Sequence, residues 1–415
     1  MGKKLYVHGS VDGCVESFLD FSRSRDAMVA AGWEVTGSVE EADVVMVNTC
    51  VVGKVVEDRC VDEIEKVKQA MKPGAELVVT GCMPAYNKEK LDAMGVDLSF
   101  APTKPQAFLD RFDLELPPEP VELEKPFLGP YNIFNWVAPV LAAAGRYRIP
   151  LPEYLFRRFS MVESDDMTFL RINRGCRESC SYCATKFTIG KLTSNRPEQI
   201  LARFDAALAE GKRNFALCGE ETGSYGFDIG TDLPFLLEGM LERKGDFLIN
   251  IRQHHPRYLV DKLDRYCKVL SDPRVKSITI PLQSGSDRIL SLMKRRHTAA
   301  EARDMVLAIH RAAPQVMLRT HLIAGFPTET REEFRQTLSV IRDLPWDMVL
   351  VYPFTSRPKT AADRIEPKIP QSEINRRIGL AYAHVVYAVY LNRFKLWPLV
   401  RQDPMRSSPA ARDRS

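Results

Sequence analysis

The sequence predicts an α/β protein in two parts: an N-terminal domain on a parallel sheet, followed by a partial barrel of six βα units with a short helical extension. Three observations predict it. Short apolar runs alternate with helical patterns over residues 1–112, the same rhythm returns from Thr168 with six strand candidates, and a proline-dense stretch separates the two. At 415 residues the chain exceeds what one hydrophobic core usually holds. Its 45% hydrophobic and 27% charged residues are those of a globular protein, not of a disordered or fibrous one.

In the first domain, Lys4–Val7, Val44–Val47 and Leu77–Thr80 read as strands, and Ser22–Ala31 and Val56–Met71 as helices. Residues 113–160 carry Pro117, Pro118, Pro120, Pro126, Pro130, Pro139, Pro150 and Pro152. They are expected to form a linker with apolar anchors such as Phe134, Trp136 and Leu141. Over 161–365 the strand candidates are Phe169–Asn173, Asn214–Cys218, Phe247–Arg252, Ser277–Pro281, Val316–Leu322 and Met348–Tyr352. Helical patterns at Pro197–Glu210, Leu233–Arg243, Tyr258–Leu270, Ser286–Lys294, Ala299–Ala312 and Arg331–Asp343 fill the gaps. Six successive units of this kind predict a partial parallel barrel whose active face lies at the C-terminal strand ends. Residues 366–415 predict a helix from Gln371 to about Asn392 and a polar tail, and no solenoid repeat is present.

The segment at Leu5–His8 is too short for a signal-peptide core, and the nearest apolar run, Val137–Ala144, is interrupted by Pro139 and falls far below the roughly 20 residues of a membrane helix. A cytoplasmic protein with no membrane segment is the expectation. A net charge of +4 neither demands nor excludes a polyanionic partner. Nine cysteines without an export signal point to metal binding or catalysis before a disulfide framework.

Their positions are informative. Arg174-Gly175-Cys176-Arg177-Glu178-Ser179-Cys180-Ser181-Tyr182-Cys183 follows the first barrel strand. Three thiolates so spaced can hold three irons of a [4Fe-4S] cubane and leave the fourth open for S-adenosylmethionine, which one-electron reduction can then cleave. The alternative is a zinc knot lacking its fourth ligand. Gly219, Gly223 and Gly226 allow close approach of a ligand to the backbone, and Glu220 and Glu221 can accept hydrogen bonds from it.

Cys-x3-Cys-x2-Cys with an aromatic residue before the last cysteine, after the first strand of a six-unit barrel, resembles the radical S-adenosylmethionine superfamily. Cys183-Ala-Thr-Lys-Phe-Thr-Ile-Gly-Lys, Leu217-Cys-Gly-Glu-Glu-Thr-Gly-Ser-Tyr-Gly, Pro281-Leu-Gln-Ser-Gly-Ser-Asp and Gly325-Phe-Pro-Thr-Glu-Thr are similar to the methylthiotransferase family within it. The resemblance covers roughly residues 1–112 and 165–365. It implies contacts to S-adenosylmethionine from Glu220, Arg252 and Gln283.

Cys14, Cys50 and Cys82 each follow a strand candidate, and in an open parallel sheet such ends share one edge, so the three can converge. Asn48-Thr49-Cys50 and Gly81-Cys82-Met83-Pro84 resemble the methylthiotransferase N-terminal domain. The resemblance implies that these three cysteines hold a second [4Fe-4S] cluster with an open iron that carries the sulfur to be inserted. The family usually has an asparagine shortly after the first cysteine, where this chain has Ser17. Cys60, Cys218 and Cys267 read as small buried hydrophobes.

The implied reaction uses one S-adenosylmethionine to methylate sulfur on the second cluster and another to generate a 5′-deoxyadenosyl radical, so that a methylthio group replaces hydrogen on an unactivated carbon. The motifs Cys183–Lys191 and Thr222–Pro234 look most like the archaeal and eukaryotic branch that acts on C2 of N6-threonylcarbamoyladenosine in tRNA. Lys186, Lys191 and Arg196, with Lys294, Arg295, Arg296 and His297, are candidate phosphate contacts at the barrel mouth, the alternative for such a run being a solvated face. A flavodoxin or ferredoxin is the implied electron donor. No all-β segment of the family's RNA-binding TRAM kind is expected after the barrel. Methylthiolation of a peptide or small metabolite, another radical reaction, and a non-catalytic iron-sulfur or RNA-binding role are the competing readings.

Overall fold

The computed structural model describes residues 2–9, 14–118 and 167–391. Most of the expected proline-rich linker and the tail after Leu391 lie outside the described residues.

The first domain is a five-stranded sheet of β1 (Lys4–His8), β2 (Glu34–Val35), β3 (Val44–Thr49), β4 (Glu76–Gly81) and β5 (Leu98–Ser99), in the order β2-β1-β3-β4-β5. Every pairing is parallel. The helices are α1 (Val15–Ala30), α2 (Lys54–Ala70), α3 (Met83–Tyr86), α4 (Lys88–Ala93) and α5 (Gln106–Phe112). The central strand β3 is buried along its whole length because both faces are covered, which is why it reads as a continuous apolar run. Alternation still divides it: Val44 and Met46 pack with Phe21, Met28, Phe100 and Phe108 on one face, Val45 and Val47 with Cys60, Ile64 and Val67 on the other.

Helix α1 starts at Val15, well before the expected Ser22. Its buried face includes Glu16, Ser17, Ser22 and Ser24, and these polar residues hide the amphipathic period.

The second part opens with β6 (Met167–Arg171), then a two-stranded antiparallel ribbon of β7 (Asn173–Arg174) and β8 (Thr193–Ser194) that brackets the cysteine loop. Strands β9 (Asn214–Cys218), β10 (Leu248–Ile251), β11 (Val275–Thr279), β12 (Met317–Ala324) and β13 (Met348–Pro353) join β6 in a parallel sheet. Its order is β13-β12-β11-β10-β9-β6, so sequence neighbours are spatial neighbours and β6 and β13 form the two edges. This is the expected chain of βα units. The helices are α6 (Pro197–Ala209), α7 (Leu233–Leu241), α8 (Pro256–Asp261), α9 (Leu263–Leu270), α10 (Asp287–Leu292), α11 (Ala299–Ala312), α12 (Arg331–Asp343) and α13 (Gln371–Val385). One core runs beneath them, including Leu170, Phe204, Phe215, Leu217, Ile249, Ile278, Leu318 and Val349.

The helix expected over 258–270 is two helices. Lys262 leaves helical geometry between them and its ammonium reaches Asp232 at 2.6 Å, an interaction no local pattern encodes. The terminal helix α13 passes into a π-helical turn over Val386–Leu391.

Contacts between the two parts are specific. Val15 and Leu19 of α1 bury against Phe169, Ala216 and Cys218, each large side chain contributing roughly 1.5–3 kcal/mol. Asp20 of α1 receives Arg171 at 2.6 Å and Arg174 at 2.5 Å. Burial alone would push the Asp20 carboxyl up, but the two guanidinium charges hold it below its ordinary value. At the far side Arg357 pairs with Glu57 at 2.6 Å, and the Tyr86 hydroxyl donates to the Pro358 carbonyl at 2.6 Å.

Candidate active site

The loop bearing Cys176, Cys180 and Cys183 leaves β7 through Gly175. Gly175 has φ 75°, and a Cβ there would strike the Lys191 carbonyl, so only glycine lets the loop turn beneath β8. Its N–H donates to Glu220 at 2.8 Å, tying the loop to the end of β9. The Glu178 N–H points at Cys176 Sγ at 3.3 Å, and the hydroxyl of Thr185 lies 3.0 Å from Cys183 Sγ. Ser181 is anchored on the end of α10, its N–H on the Met293 carbonyl at 3.0 Å and its hydroxyl on Leu292 at 2.7 Å. Cys180 is buried and the other two are half-buried.

Cys14 is the N-cap residue of α1, Cys50 follows β3 and Cys82 follows β4, close enough that Cys50 and Cys82 both bear on the Cys14 thiol. Gly81, with φ 92°, lets the Cys82 N–H reach the Thr49 carbonyl at 2.9 Å, where any side chain would collide with that same oxygen. Ser17 donates to Asn48 Oδ1 at 3.0 Å, linking the helix that starts at Cys14 to the strand that ends at Cys50.

Burial pushes the Cys82 thiol up to about 12, with the nearby Cys50 adding to the effect. Burial likewise raises Cys14, followed by Glu16, Cys50 and Cys82. In the other triad burial raises Cys176, with Glu221, Cys180 and Cys183 contributing. Bare thiols in such settings are neutral, and the irons of a cluster supply the positive charge that ionises them. Among the described residues no three His, Cys, Asp or Glu side chains converge on one point as a single ion would require. Thiols on a cubane each bind a different iron, so they need not converge on one point, and thiolate is the soft donor such irons take.

The two triads meet at one short turn. Thr185 and Thr188 flank it: the first hydroxyl touches Cys183 Sγ, and the second, which donates to the Thr185 carbonyl at 2.8 Å, lies 3.5 Å from Cys82 Sγ. No sequence signal marks this bridge, since two threonines three residues apart have no distinctive chemistry alone.

Of the residues implied to contact S-adenosylmethionine, Glu220 is half-buried and its carboxyl is pushed up to about 7 by burial, against the pull of Arg171. Gln283 follows β11 with φ 74°, held there by its N–H on the His321 carbonyl at 2.9 Å and its own carbonyl on the Ile323 N–H at 2.8 Å. Its buried Oε1 has no partner, a feature of a side chain aimed at a ligand. Arg252 follows β10 and, with Arg319, lowers His321, whose first cause is burial, to about 4. Glu221 is committed differently: its carboxylate accepts the N–H groups of Gly223, Ser224 and His255 at 2.6, 2.8 and 2.9 Å and so fixes the glycine-rich loop.

The basic run after α10 is split by burial. Lys294 and Arg296 are exposed, whereas Arg295 and His297 are buried. That corrects the expectation for Arg295 and His297 as phosphate contacts, because side chains turned inward cannot meet a polyanion. Sequence reasoning also missed a buried cluster behind the loop. Tyr258 donates to Glu178 at 2.8 Å, the other Glu178 oxygen stands 4.0 Å from His255 Nε2, and the His255 and His297 rings lie 5.9 Å apart. Of the remaining cysteines, Cys60 and Cys218 are buried and Cys267 is half-buried against the core.

Residues 170–341 match the Radical SAM superfamily, and residues 6–101 match Uncharacterized protein family UPF0004. A relative from Methanocaldococcus jannaschii, named "Probable threonylcarbamoyladenosine tRNA methylthiotransferase", is 31% identical over 88% of this chain and 79% of its own length. One of the same name from Pyrococcus horikoshii is 28% identical over 94% of this chain and 87% of its own. The Xenopus laevis threonylcarbamoyladenosine tRNA methylthiotransferase is 30% identical, with 91% of this chain matching 65% of that protein. Among solved structures, the radical S-adenosylmethionine methyltransferase TsrM from Kitasatospora setae shares the fold, with TM-score 0.57 at 12% identity over 87% of this chain and 74% of that one. No helix among the described residues is long and apolar enough to cross a membrane. The chain therefore belongs to the radical S-adenosylmethionine methylthiotransferase family, whose radical domain brings with it a [4Fe-4S] cluster and S-adenosylmethionine.

Proposed function

We propose that this enzyme inserts a methylthio group at C2 of N6-threonylcarbamoyladenosine in tRNA, with Cys176, Cys180 and Cys183 holding the cluster that cleaves S-adenosylmethionine and Cys14, Cys50 and Cys82 holding a second [4Fe-4S] cluster. The observation that carries this reading is the turn at 185–188, whose two threonines contact one cysteine of each triad. A reaction that takes hydrogen from a carbon and returns sulfur to it needs both groups beside the same atom. When bound, the clusters and S-adenosylmethionine supply the radical and the sulfur.

The chain's own residues then bind, orient and exclude water. Glu220, Arg252 and Gln283 surround S-adenosylmethionine, and Glu221 holds their loop in shape. Lys186, Lys191, Arg196, Lys294 and Arg296 meet tRNA phosphates. The electron comes from a flavodoxin or ferredoxin, in the cytoplasm.

The test is product analysis by mass spectrometry on threonylcarbamoyladenosine-containing tRNA with the reconstituted enzyme. We expect the methylthiolated nucleoside from the wild type and about eight irons per chain, two cubanes. Cys50→Ala should hold about four irons and still form 5′-deoxyadenosine, but yield no methylthio product. Full product from that variant would remove the sulfur-delivering role of the N-terminal domain, and a methylthiolated peptide or metabolite in place of tRNA would overturn the substrate.

A further inference from the structure

We propose that Arg295 sets how readily the Cys176/Cys180/Cys183 cluster accepts its electron, by presenting a buried positive charge to the sulfur of Cys180. The inference rests on the reading of those three cysteines as cluster ligands. Arg295 Nη1 donates to Cys180 Sγ at 3.5 Å, and Nη2 donates to the Pro281 carbonyl at 2.5 Å. The residue is 9% exposed, and its buried Nε has no partner.

A guanidinium stays protonated in any protein setting, and a buried charge without a counter-charge is strongly unfavourable. Among the described residues Arg295 forms no ion pair with a carboxylate. The carboxylate that bears on it electrostatically, Glu178, is engaged by Tyr258 at 2.8 Å and faces His255 at 4.0 Å and Arg296 at 3.9 Å. The anion that Arg295 meets directly is the sulfur of Cys180 once it is a thiolate on iron. The hydroxyl of Tyr182 lies against the same sulfur, but a phenol is neutral near pH 7 and supplies no charge.

A cluster that takes up one electron becomes more negative, and part of the added charge falls on its cysteine sulfurs. A cation and N–H donor at one of them stabilises the reduced form more than the oxidised form, which raises the reduction potential. No bond forms or breaks in this step and no proton moves; one electron passes from an external one-electron donor to the cluster. Arg295 thereby lessens what the physiological donor must supply before S-adenosylmethionine is cleaved. It is a positioning and tuning residue that does not touch substrate.

The test uses the full chain with Cys14, Cys50 and Cys82 replaced by alanine, so that a single cluster is observed. After anaerobic reconstitution, iron and sulfide are counted and the midpoint potential is read by electron paramagnetic resonance during a dithionite titration. Arg295→Gln should bind the same iron yet show a roughly tenfold smaller equilibrium constant for reduction, about 59 mV lower for one electron. Arg295→Lys, which keeps the charge, should shift less. A fully loaded Arg295→Gln cluster with an unchanged midpoint would overturn the tuning role and leave the ligands standing. A folded background protein that binds no iron would instead overturn the reading of the ligands. Should Arg295→Gln fail to fold, labelling the background protein with 15N-arginine decides: a nitrogen coupling to the reduced cluster is expected, and its absence refutes the contact.

Discussion

Single residues decide which groups face solvent at the barrel mouth. Lys294 closes α10 with φ 57°, and after it Arg295 turns inward, Arg296 outward and His297 inward. Identical side chains at adjacent positions thus have separate work: Arg295 reaches Cys180, while Arg296 is more than half exposed. If tRNA is the substrate, Arg296→Gln should reduce the salt dependence of tRNA affinity by about one phosphate contact, a change of roughly 0.7–0.9 in the slope of log affinity against log salt. Binding measured across a salt series checks this. A slope that does not change places Arg296 away from the RNA.

At the scale of elements, α10 and α12 are tied through their first turns. Ser286 caps α10 and also donates to Glu333 at 3.1 Å, Arg288 grips the same carboxylate at 2.7 and 2.8 Å, and Thr330 closes a capping box on it at 2.8 and 2.9 Å. The Arg288 hydrogen bonds are foremost in holding Glu333 at about 2 against an ordinary value of 4.5. A folded-state value below the unfolded one means that Glu333 stabilises the fold fully above pH 4.5 and loses that contribution as the pH falls toward about 2. Urea denaturation of Glu333→Gln should therefore show a deficit against wild type at pH 7 that shrinks at pH 3. A deficit equal at both values would mean that shape, not charge, holds the two helices.

For the molecule as a whole, the separation of the two cysteine triads depends on how α1 docks on the barrel. Asp20 is the connection: it lies on the helix capped by Cys14 and binds Arg174, two residues before Cys176. The Asp20–Arg171 pair is almost completely buried, so removing one partner leaves an uncompensated charge that costs roughly 3–5 kcal/mol. Asp20→Asn should lower the denaturation midpoint by a matching amount and, where the protein still folds, yield more 5′-deoxyadenosine per methylthio product than wild type. An unchanged ratio would show that the triads keep their relative placement without this pair.

What the sequence determined by itself is what local spacing encodes. The three central strands of the first sheet, the six of the second, the order of the βα units and the Cys176, Cys180 and Cys183 loop are legible because apolar period, turn residues and close thiol spacing need no distant partner, whereas the two-residue edge strands β2 and β5 are too short to show a period. The edge shared by Cys14, Cys50 and Cys82 is legible only through the rule that parallel strand ends lie together. Tertiary structure alone decided the rest. Buried Glu16, Ser17, Ser22 and Ser24 concealed the start of α1, the expected helix over 258–270 is interrupted at Lys262 where it meets Asp232, and Thr188 came to Cys82 from 106 residues away. Arg295 reads as one cation in a basic run until packing turns it toward a sulfur 115 residues earlier in the chain. The direction of a buried charge is set by which distant groups can compensate it, and that information exists only once the chain has folded.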